Sequence, residues 1–236
     1  MSAYKRVLLK LSGEQLAGKY DSGIDAELAT WLAHEIAEVV GADIQVVIMV
    51  GGGNYARGAQ LAGHGIGRVT ADNIGMLATM MNAMALADVF NHVGVAARAL
   101  TNIKADQVAD QFTHRRAISD LGKGRVVIVA GGIGRPYLTT DTAAVSLALE
   151  LDCQAVLKAT KVDGVYDKDP AKFKDAIRLN KMSFDEAVSN GAIKVMDKAA
   201  LGLAMEHELP TIVFNPLTEK NILRVASGEA VGTKIG

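Results

Sequence analysis

Residues 44–54 are Ile44-Gln45-Val46-Val47-Ile48-Met49-Val50-Gly51-Gly52-Gly53-Asn54, an aliphatic run that ends in three glycines. An aliphatic run of this length is typical of a strand buried on both faces, as in a parallel sheet. Successive glycines let the backbone approach a bulky anion, and their N–H groups can line a phosphate-binding concavity. A tight turn without a ligand is the other interpretation. The position directly after a buried strand favours the anion site.

Five further short aliphatic runs alternate with longer helical patterns along the chain. This alternation is typical of βαβ units around a mostly parallel sheet, so we expect an α/β fold. No Pro- or Ser-rich linker and no repeat divides the sequence, which predicts a single domain over residues 1–236. Leu28, Leu32 and Ile36 recur at helical spacing and predict a helix over residues 25–40. The five runs are residues 7–11, 93–100, 125–130, 155–159 and 211–214.

The composition is typical of a soluble globular protein. The 236 residues carry 25 Lys+Arg and 26 Asp+Glu, a formal charge of −1, and 50% of them are hydrophobic. These values exclude a disordered chain and give no basic footprint for nucleic acid. No uninterrupted apolar run approaches the roughly 20 residues of a membrane span. The first residues show no secretory signal pattern and Cys153 is alone, so we expect a cytoplasmic protein without disulfides or a cysteine zinc site.

Residues 73–90 show a second kind of helical pattern, which is apolar nearly all round. Met76, Met80, Met81 and Met84 recur on a helical period within it. Such a stripe predicts either a helix in the core or a helix buried in a subunit interface.

Lys10 stands near the carboxyl end of the first aliphatic run and is followed by Leu11-Ser12-Gly13. In an open α/β sheet, ligands bind at this end of the strands. An ammonium inside a buried strand must be met by an anion or a carboxylate, because its desolvation is otherwise costly. Two interpretations stay open: Lys10 binds a phosphate, or its side chain reaches past the sheet edge into water.

Two later segments also follow predicted strands. Residues 131–141 begin with a glycine-rich turn and end with Thr139, Thr140 and Asp141, candidate caps of a helix whose N-terminus could hold a second phosphate. Residues 158–170, taken alone, favour a solvated surface loop over a site for a base and ribose. The chain has no P-loop, dinucleotide fingerprint, nucleophile elbow or histidine metal motif. The residues therefore indicate a phosphate-handling α/β enzyme.

Together these motifs resemble the amino-acid kinase superfamily and, within it, the family of bacterial UMP kinases. The resemblance implies a three-layer αβα sandwich with a mostly parallel central sheet. It also implies ATP-dependent phosphorylation of UMP to UDP at the carboxyl edge of that sheet, with Mg²⁺ accompanying ATP. A homohexamer, activation by GTP and inhibition by UTP are implied as well. The matching segments, in chain order, are residues 5–13, 50–58 with Asp72, 75–79, 136–141, 157–170 and 194–197.

The resemblance also implies the site residues. The catalytic residues would be Lys10, Arg57 and Asp197. The ATP site would comprise Lys10, Leu11, Ser12, Gly13, Gly53, Arg57, Thr160, Tyr166 and Asp169. The UMP site would comprise Gly52, Asp72, Ile133, Gly134, Arg135, Pro136, Tyr137, Leu138, Thr139 and Thr140. The region used for activation by GTP would comprise Gly18, Lys19, Tyr20, Asp21, Ser22 and Gly23.

Several of these residues have more specific implied roles. Lys10 and the glycine N–H groups would stabilise the transferring phosphoryl group, with Lys158 or Lys161 assisting. Asp197 or Asp141 would orient Lys10 or hold Mg²⁺. In addition, Asp72 would read the ribose hydroxyls and Thr140 would help to seat the uracil or its phosphate. The chain departs from the family at Arg135, Tyr137 and Leu138, where members often carry Asn and two aromatics, and this bears on base recognition.

Two other hypotheses stay open. One is a superfamily kinase that phosphorylates a carboxylate or carbamate, although Asp72 and residues 136–141 favour a nucleotide acceptor. The other is a protein of the same fold that stores a nucleotide or oxyanion. Storage alone does not require a pair of cations such as Lys10 and Arg57.

Overall fold

The computed structural model describes residues 3–56, 61, 65–189 and 195–236. The described strands are β1 (Arg6–Leu11), β2 (Gln45–Val50), β3 (Ala97–Thr101), β4 (Asp110–Gln111), β5 (Val126–Ala130), β6 (Val156–Ala159), β7 (Val165–Tyr166), β8 (Arg178–Leu179), β9 (Lys181–Met182), β10 (Thr211–Phe214) and β11 (Thr233–Ile235). The described helices are α1 (Gly13–Leu16), α2 (Ala26–Gly41), α3 (Arg68–His92), α4 (His114–Leu121), α5 (Thr140–Glu150), α6 (Phe184–Ser189), α7 (Lys198–Glu206) and α8 (Asn221–Ala226).

Nine of these strands form one sheet, in the order β4-β3-β5-β2-β1-β6-β10-β11-β9. Neighbours in it are parallel, except that β10 and β11 are antiparallel. The remaining strands, β7 and β8, pair with each other as an antiparallel hairpin. The predicted α/β fold with a mostly parallel central sheet is therefore confirmed.

Two apolar cores lie on opposite faces of the sheet. Leu9 and Leu11 of β1 join side chains of α2, α3 and α8 in one core. Leu8 of the same strand packs with side chains of α4, α5 and α7 in the other. Because successive side chains of a strand point to opposite faces, β1 contributes to both helical layers. The arrangement is the three-layer sandwich that the resemblance implies.

Two sequence expectations can be compared with the elements. The helix expected over residues 25–40 is confirmed as α2, whose N-cap Asp25 accepts hydrogen bonds from the backbone N–H groups of Glu27 at 3.0 Å and Leu28 at 3.2 Å. The run over residues 93–100 becomes a strand only from Ala97. The residues before it close the preceding helix, since Gly94 has a φ of 86° that terminates α3.

Helix α3 has 25 residues and is long and apolar enough to cross a membrane by length and composition. It nevertheless packs against α2, β3 and β5, and a core helix of a globular protein passes the same test. Its methionine stripe is divided between core and surface: Met80 is 4% exposed, whereas Met81 and Met84 are 49% and 39% exposed.

Four neighbouring parallel strands bring the candidate site together. β1, β2, β5 and β6 end at Leu11, Val50, Ala130 and Ala159. Because these strands run in the same direction, the residues that follow them meet at one edge of the sheet, where ligands of open α/β folds bind.

Candidate active site

Three charged side chains meet at this carboxyl edge. Lys10 of β1 and Lys158 of β6 are register partners, so both side chains leave the same face of the sheet. Asp141, in the first turn of α5, reaches between them. Its Oδ1 lies 2.8 Å from the Nζ of Lys10, and its Oδ2 lies 2.6 Å from the Nζ of Lys158. We call this the Lys10–Asp141–Lys158 cluster.

The cluster is mostly removed from water. The side chains of Lys10, Asp141 and Lys158 are 10%, 14% and 12% exposed. Burial alone would raise the pKa of Asp141, but the two lysines outweigh burial and hold that pKa below its usual range. Burial lowers the pKa of Lys158, and the adjacent Asp141 only partly opposes this. Two ammoniums against one carboxylate leave one net positive charge, which an incoming phosphate would meet.

Asp197 lies beside the cluster, through contacts with the two threonines that flank Thr140 and Asp141. It is the N-cap of α7 and accepts a hydrogen bond from the backbone N–H of Ala200 at 2.9 Å. It also accepts hydrogen bonds from the hydroxyl of Thr142, at 2.9 Å, and from the hydroxyl of Thr139. Asp197 therefore ties the first turn of α5 to that of α7, and the carboxylate that orients Lys10 is Asp141.

Glycines let the turns after β1 and β2 approach their neighbours closely. A Cβ added to Gly13 would lie 2.6 Å from the backbone nitrogen of Gly53. A Cβ added to Gly52 would lie 2.7 Å from the carbonyl oxygen of Gly75 in α3. Both distances are too short for any side chain. Ser12 directly follows β1 and caps α1, and its side chain and that of Gln15 form a reciprocal capping box.

The segment after β6 lines a cavity of 640 Å³. Thr160, Tyr166 and Asp169, all expected at the ATP site, contribute to its wall. Much of the rest is apolar, including Val162 and Pro170. This volume lies in the range of about 300–1,000 Å³ that is usual for small-molecule sites. The segment is therefore not the purely solvated loop that its composition favours.

Two residues expected at the UMP site, Asp72 and Tyr137, are in direct contact. Asp72 of α3 uses its Oδ2 to accept hydrogen bonds from the Nε of Arg68 at 2.7 Å and from the backbone N–H of Tyr137 at 2.8 Å. The Arg68 guanidinium also lies over the Tyr137 ring, 5.1 Å from its centre. Tyr137 has a φ of 67°, an uncommon conformation that these contacts hold in place. We call this the Arg68–Asp72–Tyr137 cluster.

The remaining expected residues are distributed along the same edge. Residues 133–138 form the loop from β5 to α5, and Thr139 caps α5 by accepting a hydrogen bond from the backbone N–H of Asp141 at 3.0 Å. Residues 18, 20, 21 and 22 line a second cavity, of 580 Å³, together with Gly53 and Lys161. Arg57 lies outside the described residues.

Three side chains at the site received no role from the sequence, although one of them, Thr79, lies in the matching segment 75–79. Arg68 belongs to no motif, and an arginine at the start of a helix is typical of a surface residue. Thr79 and Asn82 are polar positions within the mostly apolar stretch 74–87 of the helix, and that interruption could have identified them. Among the described residues, no group of three or more His, Cys, Asp or Glu side chains could hold a metal ion.

A sequence model of the amino acid kinase family matches residues 5–215. The chain belongs to the amino acid kinase family. This kinase is 46% identical over 233 residues to the uridylate kinase of Xanthomonas euvesicatoria pv. vesicatoria, with 99% of this chain and 97% of that protein covered.

Solved structures give the same relationship in three dimensions. The UMP kinase of Bacillus anthracis is 39% identical, with a TM-score of 0.91 and 99% and 96% of the two chains covered. The UMP kinase of Ureaplasma parvum is 32% identical, also with a TM-score of 0.91, and 98% of each chain is covered. This kinase therefore shares its fold with them over nearly its full length.

Proposed function

We propose that this kinase transfers the terminal phosphoryl group of ATP to UMP, giving ADP and UDP. The observation that carries the proposal is the Lys10–Asp141–Lys158 cluster, placed between a nucleotide-sized cavity and the Arg68–Asp72–Tyr137 cluster. Asp141 holds the two buried ammoniums side by side, so both can face the same phosphoryl group of a substrate. The uridylate and UMP kinases to which the chain is similar support the choice of acceptor.

In the proposed reaction, an oxygen of the UMP phosphate attacks the γ-phosphorus of ATP as the bond to the leaving oxygen of ADP breaks. The attacking oxygen is already anionic, so no strong general base is required. Catalysis then depends on positioning and on neutralising charge at the transferring group. Lys10 and Lys158 supply that charge, and Asp141 keeps them from repelling each other out of position.

Mg²⁺ is proposed to enter with ATP, where it would neutralise charge on the β- and γ-phosphate oxygens. Such a metal commonly takes one or two protein carboxylates together with phosphates and water. The absence of a described cluster of three metal-ligating side chains fits this mode better than a dedicated protein cage. Asp197 is the carboxylate beside the cluster that we propose for this role, since neither oxygen of it contacts a lysine among its described hydrogen bonds.

The nucleotides are proposed to occupy opposite sides of the cluster. ATP would lie in the 640 Å³ cavity, against Thr160, Tyr166 and Asp169. The family resemblance assigns its phosphates to residues 10–13, Gly53 and Arg57, of which Arg57 lies outside the described residues. UMP would lie against Gly52, Asp72 and residues 133–140. Asp72 accepts its two described hydrogen bonds with Oδ2, which supports the use of Oδ1 for a ribose hydroxyl.

Regulation and assembly are proposed from the family resemblance and two surface features. The wall of the 580 Å³ cavity beside Gly53 includes Gly18 and residues 20–22, which supports a role for residues 18–23 in GTP activation. Inhibition by UTP is proposed for the UMP site. Leu77, Met81 and Met84 are 52%, 49% and 39% exposed along one face of α3, which supports burial of this face in a homohexamer. We propose that the enzyme acts in the cytoplasm.

The test of the proposed function is ADP release with ATP and Mg²⁺ against a panel of acceptors. UMP, CMP, dUMP, aspartate, N-acetylglutamate and carbamate are compared, each with and without GTP, and sedimentation gives the mass of the assembly. We expect release to be fastest with UMP and to increase with GTP. ADP release with an amino acid or carbamate would overturn the proposal that UMP is the acceptor. Binding of ATP without any ADP release would favour the storage protein.

The Arg68–Asp72–Tyr137 cluster gives a prediction for the acceptor side. Arg68→Met removes the guanidinium that holds both Asp72 and the Tyr137 ring, so the KM for UMP is expected to rise about tenfold while the KM for ATP changes less than about twofold. Initial rates at saturating co-substrate measure both constants. Arg224→Met is the control, because Arg224 makes a comparable 2.7 Å ion pair with Glu229 at a similar exposure in α8. Equal changes in the two KM values would contradict the prediction.

A further inference from the structure

Helix α3 buries two polar side chains among apolar ones. Thr79 is 2% exposed and Asn82 is 0% exposed, in a helix whose neighbouring buried residues include Ala78, Met80 and Ala83. A buried hydroxyl or amide is costly unless it is hydrogen-bonded. Both side chains find their partners at the turns that follow sheet strands.

Thr79 binds the turn that follows β5. Its Oγ1 accepts a hydrogen bond from the backbone N–H of Gly131 at 2.7 Å and donates one to the carbonyl of Met76, within its own helix, at 2.6 Å. The single hydroxyl proton is thereby directed to the helix and a lone pair to the turn. Gly131 is the first residue of the segment that continues into the expected acceptor residues 133–140.

Asn82 binds the turn that follows β2. Its Nδ2 donates hydrogen bonds to the carbonyl of Gly51 at 2.7 Å and to the Oδ1 of Asn54 at 2.7 Å. Its Oδ1 accepts one from the Nδ2 of Asn54 at 2.9 Å. The amide of Asn82 therefore spans the glycine turn from its first residue to the asparagine that closes it. Asn54 also donates to the carbonyl of Gly23, at 2.5 Å.

We propose that Thr79 and Asn82 are positioning residues that fix the turn after β2 and the turn after β5 relative to each other. They lie three residues apart and so share one face of α3. A rigid helix is then the common reference for both turns, and Gly52 packs against the same helix at Gly75. The inference rests on the proposed function, because the turn after β2 holds Gly53 of the proposed ATP site and Gly52 of the proposed UMP site, and the turn after β5 leads into the acceptor residues.

The consequence is a dependence of phosphoryl transfer on two side chains that touch no substrate. In-line transfer requires the attacking oxygen and the γ-phosphorus in close alignment, and a displacement of about 1 Å can cost about 100-fold in rate. Loss of the Thr79 contact frees the N–H of Gly131, and loss of the Asn82 contact frees the carbonyl of Gly51. Each change is expected to loosen one turn and leave the other in place.

The decisive experiment compares Thr79→Val with Thr79→Ser. Valine keeps the shape and loses the oxygen, so kcat is expected to fall about 30-fold and the KM for UMP to rise about tenfold, with the KM for ATP unchanged. Serine keeps the oxygen and is expected to stay within about threefold of the wild type. Asn82→Leu loosens the turn that carries both Gly52 and Gly53, so it is expected to raise the KM for ATP as well as the KM for UMP.

Thr211→Val is the matched control. Thr211 is also fully buried, in β10, and its Oγ1 has no hydrogen-bond partner among the described residues. Its replacement is therefore expected to change neither kcat nor either KM. If Asn82→Leu fails to fold, the Thr79 pair alone decides the proposal.

A positioning role and a merely structural role give different results. A structural role would reduce the fraction of active enzyme and the Tm and leave both KM values unchanged. The proposal is overturned if Thr79→Val retains wild-type kinetics, or if Thr79→Val and Thr79→Ser lose activity equally. Should the wild type prefer an acceptor other than UMP, the proposed function fails separately, and the same variants are measured with that acceptor.

Discussion

Lys10→Met is expected to lower kcat about 1,000-fold while UMP still binds. Methionine keeps the length and burial of the stem in β1 but removes the ammonium that lies 2.8 Å from Asp141. The net charge of the cluster then falls from +1 to zero, because Lys158 and Asp141 remain. Loss of one preorganised donor to a developing charge typically costs about 100- to 1,000-fold in kcat, and a full charge belongs at the upper end of that range.

The measurement for Lys10→Met is kcat at saturating ATP and UMP, with UMP affinity obtained by equilibrium dialysis. Lys104→Met serves as the control, since Lys104 is 78% exposed and pairs only loosely with Asp106, at 3.6 Å. Its kcat is expected to equal that of the wild type. Near-normal turnover by Lys10→Met would show that Lys10 does not stabilise the transferring phosphoryl group.

The sequence predicts the elements of this edge better than the contacts between them. The local signals are the glycine run after β2, the lysine near the end of β1 and the cap of α5. Each of them lies at or after the end of a strand that the structure contains. The partner of Lys10 is not local. By its local sequence Asp141 is an ordinary acidic residue in the first turn of a helix, and the family resemblance names it only as an alternative to Asp197. The packing of α5 against the sheet brings it between two lysines.

A similar limit applies to α3. Its methionine stripe predicts a core or interface helix, but periodicity cannot separate the buried Met80 from the exposed Met81. The polar positions Thr79 and Asn82 have no visible role until the turns that they bind are placed beside the helix. Residues 158–170 have a polar composition, yet they line a cavity whose wall also includes the apolar side chains of Val195 and of Val213 in β10. Long-range packing decides each of these cases.

Asp141→Asn is expected to impair both stability and turnover. The amide keeps the shape of the side chain but leaves two buried ammoniums without a counter-charge. Removing one partner of a buried ionic cluster typically costs about 3–5 kcal/mol in the free energy of unfolding. For a chain of this size that corresponds to a fall in Tm of roughly 6–20 °C. The kcat is expected to fall about 100-fold, because the lysines lose the group that orients them.

The pH dependence separates the electrostatic role of Asp141 from a packing role. The pKa of Asp141 is lowered by the two lysines, so its stabilisation is present above the ordinary carboxyl pKa of about 4 and is lost as the pH falls toward the lowered value. The Asp141→Asn variant has no carboxylate to protonate, so it does not lose stability in this way when the pH falls. In the variant, the pKa of Lys158, already lowered by burial, falls further because Asp141 no longer opposes that effect.

Raising the pH should therefore act on the variant in two opposite directions. As Lys158 loses its proton, repulsion from Lys10 is relieved, so the deficit in unfolding free energy shrinks toward the lysine pKa of about 10.4. Over the same range kcat declines, because a neutral amine no longer stabilises the transferring group. Urea unfolding and kcat profiles from about pH 6 to pH 10 measure both trends.

Asp110→Asn is the control, since its ion pair with Arg98 is 41% exposed on the carboxylate side and is expected to contribute less than about 1 kcal/mol. Parallel pH profiles for the variant and the wild type would show that Asp141 acts by packing and not by charge.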